Sequence, residues 1–398
     1  MTKIRGRHQS LGVWDTPQDV VINKYHRLMG AVAEGRDLSV INLADINVRD
    51  LFEEFIQRCI ARRDAGEMRN STLRDYVDFA NFAAGALGPD RLADDLTRLD
   101  FEDLRRRIAK RWGVTRRGKC IGFVRQVFRW GFEDAELLVR PAQIPPSFRK
   151  PEKRLYRKVK HDRGPLLFTP AEIGRLLQAA PLQIKAMIMV GLNAAYTQAD
   201  CSELPADRVD LEHRRIHWPR PKTEIDRVAP LWPETAMVLR EVMDRRAPER
   251  ASDDHRHLLF LTQNLRQPWV REVFGRRNGH ASTRRVDSVG LLFGRLKRDL
   301  GISKSGHGFA VLRKQFRTIA DETNDIPAID LIMGHAGDRT MGDQYRQSIE
   351  FERLEAVVEH VRASILPEAA KASPWLRGLN PELVPAQEAE APSGGTSA

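Results

Sequence analysis

The sequence predicts a mainly α fold with a small β-sheet (α+β), an N-terminal helical domain followed by a larger mixed domain. Three observations predict it. Apolar residues in the first 140 positions recur at helical spacing. Strand-like alternation is confined to residues 208–218 and 228–231. A chain of 398 residues also has the length for two hydrophobic cores.

Residues 1–46 form an N-terminal segment, partly helical around Tyr25, Leu28 and Met29. Residues 47–140 read as a helical bundle. In its first helix, 47–65, Leu51, Phe55, Cys59 and Ile60 share a face and Asn47 is placed as cap. A second helix follows Asn70 or Ser71 as cap, with Leu73, Val77, Ala80 and Phe82 as its apolar stripe. Asp100 caps a third, 101–112, and Ile121, Val124, Val127, Phe128 and Phe132 mark a fourth over 118–135. Phe123, Phe128, Trp130 and Phe132 are expected in the core rather than against bases. On the polar side, Arg116, Arg117, Lys119, Arg125 and Arg129 are candidates for phosphate contact, with a solvated charged face as the alternative.

Residues 141–165 read as an extended basic linker. Pro145, Pro146 and Pro151 break helix, and 147–163 carries eight basic and two acidic residues. Arg149, Lys150, Lys153, Arg154, Arg157, Lys158 and Lys160 are the expected phosphate contacts there.

The mixed domain spans 166–366. Thr169, Pro170 and Glu172 spell a capped helix start. Residues 183–192 are apolar on nearly all sides and should be buried. Residues 208–218 read as one strand and 228–231 as its return. Residues 233–246 and 286–300 are amphipathic helices, and 325–333 is a helix closed by Gly334. A last amphipathic helix carries Leu354, Val357, Val358, Val361 and Ile365 on one face, to pack in cis or on a neighbour. Residues 367–398, rich in Pro, Ala, Glu, Gly and Ser, read as a disordered tail.

The net charge of +11 suits a polyanionic partner. Three distant cysteines, Cys59, Cys120 and Cys201, give neither a disulfide framework nor zinc spacing. No apolar run reaches membrane-spanning length, and the basic N-terminus lacks the apolar segment of a secretory signal, so a cytoplasmic protein is expected.

The chemistry is concentrated in 309–345: FAVLRKQFRT, then LIMGHA, then a tyrosine in QYR. This stretch resembles the C-terminal box of the tyrosine recombinases, the phage integrase family. The resemblance spans about 45–366. It implies a helical core-binding (SAM-like) domain, a basic linker and a catalytic domain that together clamp duplex DNA, and cleavage and rejoining through a 3′-phosphotyrosine bond. A phosphotyrosine conserves the bond energy, so neither metal nor cofactor is implied. By the resemblance, Tyr345 is the nucleophile, Arg313 and His335 hold the phosphate, and Lys222, in PRPKTEIDRVAPL, protonates the leaving oxygen. Arg317, one turn beyond Arg313, is a further DNA contact. Glu224 and Asp226 flank the lysine.

Two positions depart from the family pattern. Aligning SEL at 202–204 puts Asp200 where the first arginine belongs, and Ala310 stands where a histidine precedes Arg313 by three residues. His307 is the candidate replacement base, and no replacement arginine is evident. The LNAAYTQADC variant resembles divergent integrase-like proteins of planctomycete-type bacteria. Two readings follow: a site-specific recombinase or integrase of mobile elements, nucleoid-associated and self-associating on DNA, or a DNA-binding protein of the same fold that has lost cleavage. A metal-dependent nuclease would rest only on the run from Asp253 to His257, better read as a solvated loop.

Overall fold

A computed structural model describes residues 2–4, 7–9, 11, 18–33, 46–221, 223–264, 267–277, 280–302, 305–335 and 348–384. The chain divides into two units: Met1–Gly164 with Glu272–Arg284, and Pro165–Arg271 with Arg285–Ala398. Helix dominates both, and the sheets are small.

In the first unit, β1 (Thr2–Ile4) and β2 (Arg7–Gln9) pair antiparallel ahead of α1 (Gln18–Ala33). The bundle proper is α2 (Val48–Asp64), α3 (Asn70–Leu87), α4 (Arg98–Arg111) and α5 (Val114–Glu133). Asn47 caps α2 as expected, accepting from the Asp50 N–H at 2.8 Å. Two cap expectations are corrected. Arg69 precedes α3 without a side-chain cap, and Asn70 is already helical. At α4 the cap is Thr97, and Asp100 is its capping-box partner, accepting from the Thr97 N–H at 2.8 Å. Phe52, Phe55, Phe79, Phe101, Phe123 and Phe128 fill the core, with Phe52 and Phe128 edge to face at 5.9 Å. Each such ring contributes about 1.5–3 kcal/mol by leaving water.

The basic segment is not extended. Lys153–Arg163 is a helix, α6, with no buried residue. The prolines that suggested extended chain all precede it, and from Lys153 onward nothing interrupts good helix formers.

The second unit opens with α7 (Pro170–Ala179), α8 (Leu182–Asn193) and α9 (Gln198–Glu203). The Thr169–Glu172 capping box forms as read from sequence. The strand expected over 208–218 is instead a hairpin, β3 (Val209–Asp210) and β4 (Arg215–His217). Asp210 folds the turn by accepting the His213 N–H at 2.9 Å, and Arg214 takes a left-handed φ of 48°. With β5 (Val228–Pro230) these make an antiparallel sheet in the order β3-β4-β5, Ile216 facing both Val209 and Ala229.

After α10 (Pro233–Asp244) comes a pair of strands absent from the sequence reading, β6 (Val270–Arg277) and β7 (His280–Asp287). Five arginines and a glycine break up the apolar alternation that would mark them as strands. Residues 272–284 cluster with the first unit, where Glu272 pairs with Arg74 at 2.6 Å and Arg63 lies over Phe274. Asp287 then caps α11 (Ser288–Asp299).

The C-terminal part holds α12 (Val311–Ala320), α13 (Ile326–Met333), α14 (Phe351–Lys371) and α15 (Pro374–Leu379). Leu354, Val357, Val358, Val361 and Ile365 are buried in the second unit's core, so α14 packs in cis. The tail expectation is corrected as well. Structure continues from 367 to 384, and Ala369, Ala370, Leu376, Leu383 and Val384 are buried. Alanine-rich composition looked disordered, yet those alanines let α14 lie against α7, where a Cβ on Gly174 would collide with the Ala369 carbonyl. Residues 385–398 lie outside the described residues. Among the described residues no helix is long and apolar enough to cross a membrane.

Candidate active site

Arg313 is presented by the first turn of α12. It is half-buried, and both Nη atoms are engaged. Nη1 donates to the Ala195 carbonyl at 2.7 Å, and Nη2 to the Met333 carbonyl at 2.9 Å and to His335 Nε2 at 2.8 Å. Burial and the like charge of Arg220 bring its pKa down to about 10.

His335 follows α13. Gly334 takes the left-handed φ of 62° that ends the helix and turns the imidazole back. Nδ1 lies 3.4 Å from Asp330 Oδ1. A guanidinium can only donate, so Nε2 is the accepting nitrogen and Nδ1 carries the proton toward Asp330. Burial, then the Arg313 charge, lowers the His335 pKa. Asp330 is itself buried and receives Arg317 Nη1 at 3.0 Å, while Arg317 Nε pairs with Asp321 at 2.7 Å. Arg317, expected at DNA, is thus held by two carboxylates behind the histidine.

Asp200 has a structural explanation. It is the third residue of α9, and its Oδ2 accepts from both the N–H and the hydroxyl of Thr197 at 2.7 Å. Its Oδ1 faces Arg227 Nη1 at 3.5 Å. Arg227, from the strand side of the hairpin, is fully buried. Its guanidinium lies 3.6 Å over the Tyr196 ring, and Nε donates to the Trp218 carbonyl at 3.3 Å. Among the described residues, Arg227 Nη1 and Nη2 find no hydrogen-bond partner. Burial pushes the Tyr196 phenol well above its ordinary value.

A third guanidinium comes from Arg220, in the connection between β4 and β5. Its N–H donates to the Ile225 carbonyl at 2.8 Å, and its carbonyl receives the N–H groups of Thr223 and Glu224 at 3.0 and 2.8 Å. The Arg220 side chain packs over Gly334, and a Cβ there would stand 2.8 Å from Arg220 Cβ. Its charge acts on both Arg313 and His335. Sequence reasoning missed Arg220 and Arg227. The available signal was the density of arginine around PRPK, which was read only for its lysine.

His307 is buried beside Phe168, with Nδ1 3.1 Å from the Ser305 carbonyl and Nε2 3.2 Å from the Leu167 carbonyl. Both ring nitrogens thus face main-chain carbonyls of 167 and 305. Ala310 immediately precedes α12 and is exposed. Lys222 and Tyr345 lie outside the described residues. Of the two carboxylates flanking Lys222 in sequence, Asp226 accepts from His217 at 2.8 Å.

In the first unit, Arg117, Arg149, Lys150, Arg154 and Lys158 line one hollow with Arg105. Lys153, Arg157 and Lys160 are exposed on α6. Arg116 and Lys119 are instead drawn to acids: Arg116 to Asp78 and Asp75, Lys119 to Asp75 at 3.1 Å. Arg125 donates to the Phe148 carbonyl at 3.2 Å, and Arg129 faces Glu133 at 3.9 Å.

Residues 167–350 match the model of the phage integrase family. The fold is similar to that of a λ integrase dimer bound to a COC′ core site, at 13% identity and a TM-score of 0.54, over 77% of this chain and 99% of that one. It is also similar to the Tn1549 transposon integrase in complex with transposon right end DNA, at 17% identity and a TM-score of 0.52, over 79% of this chain and 99% of that one. No curated protein matches the sequence significantly. The family match falls on the unit that gathers Arg313, His335 and the hairpin arginines, and it identifies residues 167–350 as a region of the phage integrase, or tyrosine recombinase, type.

Proposed function

We propose that the protein is a site-specific DNA recombinase that cuts and rejoins duplex DNA through a 3′-phosphotyrosine intermediate. The observation that carries this reading is the gathering of Arg313, His335 and Arg220 around one turn, with the nearby carboxylate, Asp200, already occupied by Thr197 and Arg227. Such a cluster repels itself and favours an anion with several oxygens. The λ and Tn1549 integrases of similar fold are described bound to DNA.

In this reading Tyr345 attacks phosphorus and the bond to the 5′ oxygen breaks. Lys222 protonates that oxygen, and Arg313 and His335 stabilise the charge on the non-bridging oxygens. The phenolic proton leaves to water, since Ala310 has no accepting side-chain atom and both nitrogens of His307 are turned to main-chain carbonyls. Basic residues of the first unit, Arg117, Arg149, Lys150, Arg154 and Lys158 foremost, neutralise backbone phosphates. The protein acts in the cytoplasm, at the nucleoid, as copies associated on DNA.

The second reading, a DNA-binding protein without cleavage, is favoured by Asp200 and Ala310 at positions where the family has arginine and histidine. Nicked suicide duplexes from a randomised library separate the two. A covalent adduct on a denaturing gel that disappears in Tyr345→Phe supports the recombinase. Retention of duplex without any adduct supports the binding protein.

A further inference from the structure

We propose that Arg220 supplies the phosphate-gripping guanidinium that position 200 lacks, while Arg227 neutralises Asp200 from within the core. This rests on the phosphoryl-transfer reading above and adds to it a specific replacement for the missing arginine.

The first support is placement. The connection that carries Arg220 is tied down at both ends of the residue: its N–H is held by Ile225, and its carbonyl by Thr223 and Glu224. It is also tied to the His335 turn, because Thr223 Oγ1 donates to the Gly334 carbonyl at 3.3 Å. The aliphatic part of Arg220 fills the space that Gly334 leaves by having no side chain, with Cδ 3.1 Å from where a Cβ would be. A chain segment more than a hundred residues from His335 is thereby built against it, as a preorganised site requires.

The second support is charge. Arg220 and Arg313 act on each other as like charges, and Arg220 also acts on His335. Self-repelling cations held by main-chain bonds gain when a phosphate sits among them. Arg220 is half-buried at the turn beside His335, whereas Arg227 is fully enclosed. That difference divides the work between them.

The third support is the state of Asp200. One of its oxygens holds Thr197 and the other faces Arg227. A buried carboxylate with a buried guanidinium at 3.5 Å presents little net charge to a phosphate. The substitution that looked like a lesion is an ion pair, with the catalytic cation moved to the hairpin.

The test uses the full chain and inorganic phosphate at constant ionic strength, followed by calorimetric titration. Wild type is expected to bind phosphate, Arg220→Gln and Arg313→Gln each to bind it at least about tenfold more weakly, and Asp200→Asn to stay within about twofold. Arg220→Lys, which keeps the charge but not the fork, should fall between. The His335 imidazole is titrated in parallel by NMR. Its pKa should rise in Arg220→Gln and stay put in Arg220→Lys, a response that a merely structural role would not produce. Unchanged phosphate affinity in Arg220→Gln, an unmoved His335 titration, or no phosphate binding by wild type overturns the assignment. Tyr345 takes no part in this titration. Loss of binding in Arg220→Gln alongside an adduct indifferent to Tyr345→Phe would uphold the Arg220 assignment and sink the recombinase reading alone.

Discussion

Arg313 Nη2 lies 2.8 Å from His335 Nε2, and this contact decides which ring nitrogen holds the proton. With Nε2 accepting, Nδ1–H points at Asp330, and the ring is kept neutral by burial and by the neighbouring charge. A phosphate that draws Arg313 away frees Nε2, and its negative charge favours the doubly protonated ring that can donate to it. On the proposed reading, then, phosphate binding would be coupled to proton uptake at His335.

The first prediction concerns pH. His335 has a folded-state pKa lowered from 6.5. A base depressed in this way is neutral in the folded protein, and its protonation favours the unfolded chain. Its contribution to stability is full above pH 6.5 and is lost as the pH falls from there through the folded value. Melting temperatures of wild type and His335→Gln should converge between pH 7.5 and 5.5, with wild type losing more.

Asp330 raises the His335 pKa, against burial and Arg313. Asp330→Asn should therefore lower that pKa further, read by NMR titration of the ring. It also strips Arg317 of one of its two carboxylates, at a cost of about 1–3 kcal/mol in urea unfolding.

Gly334 combines a positive φ with the close approach of Arg220. Gly334→Ala should cost about 1–2 kcal/mol from backbone strain and displace Arg220, so adduct formation should fall more than stability alone would explain. Gly174→Ala, where α7 meets the Ala369 carbonyl, should cost about 1–3 kcal/mol with the active site untouched. Parallel denaturation and cleavage assays distinguish the two.

Glu234 is fully buried and accepts from Arg362 at 2.7 and 3.1 Å and from Asn380 at 2.7 Å. Burial alone would raise its pKa, but these donors hold it below the ordinary value. Arg362→Met should cost about 3–5 kcal/mol by leaving that carboxylate unpaired. The wild-type advantage should be present at neutral pH and shrink as acid protonates Glu234.

The local signals of helix were legible in the sequence. The cap at Asn47, the capping box at Thr169 and the apolar face of 354–365 all formed as read. The meeting of Arg313 with His335 was legible too, because they sit on adjacent elements with a turn glycine between them. Arg220 and Arg227 were not, since only the return of a hairpin brings them there, and nothing local marks an arginine that will be buried against Tyr196. The same limit explains the 208–218 hairpin. Val209 and Ile216 look like one alternating strand until Asp210 folds the chain between them. Composition misled at α6 and at 367–384, where charge and alanine suggested unstructured chain and helix propensity prevailed.

The indole of Trp232 donates to the Val358 carbonyl at 2.8 Å, beside the Glu234–Arg362 pair. Lending α14 to a second molecule would strand an indole N–H and a carboxylate in apolar surroundings together.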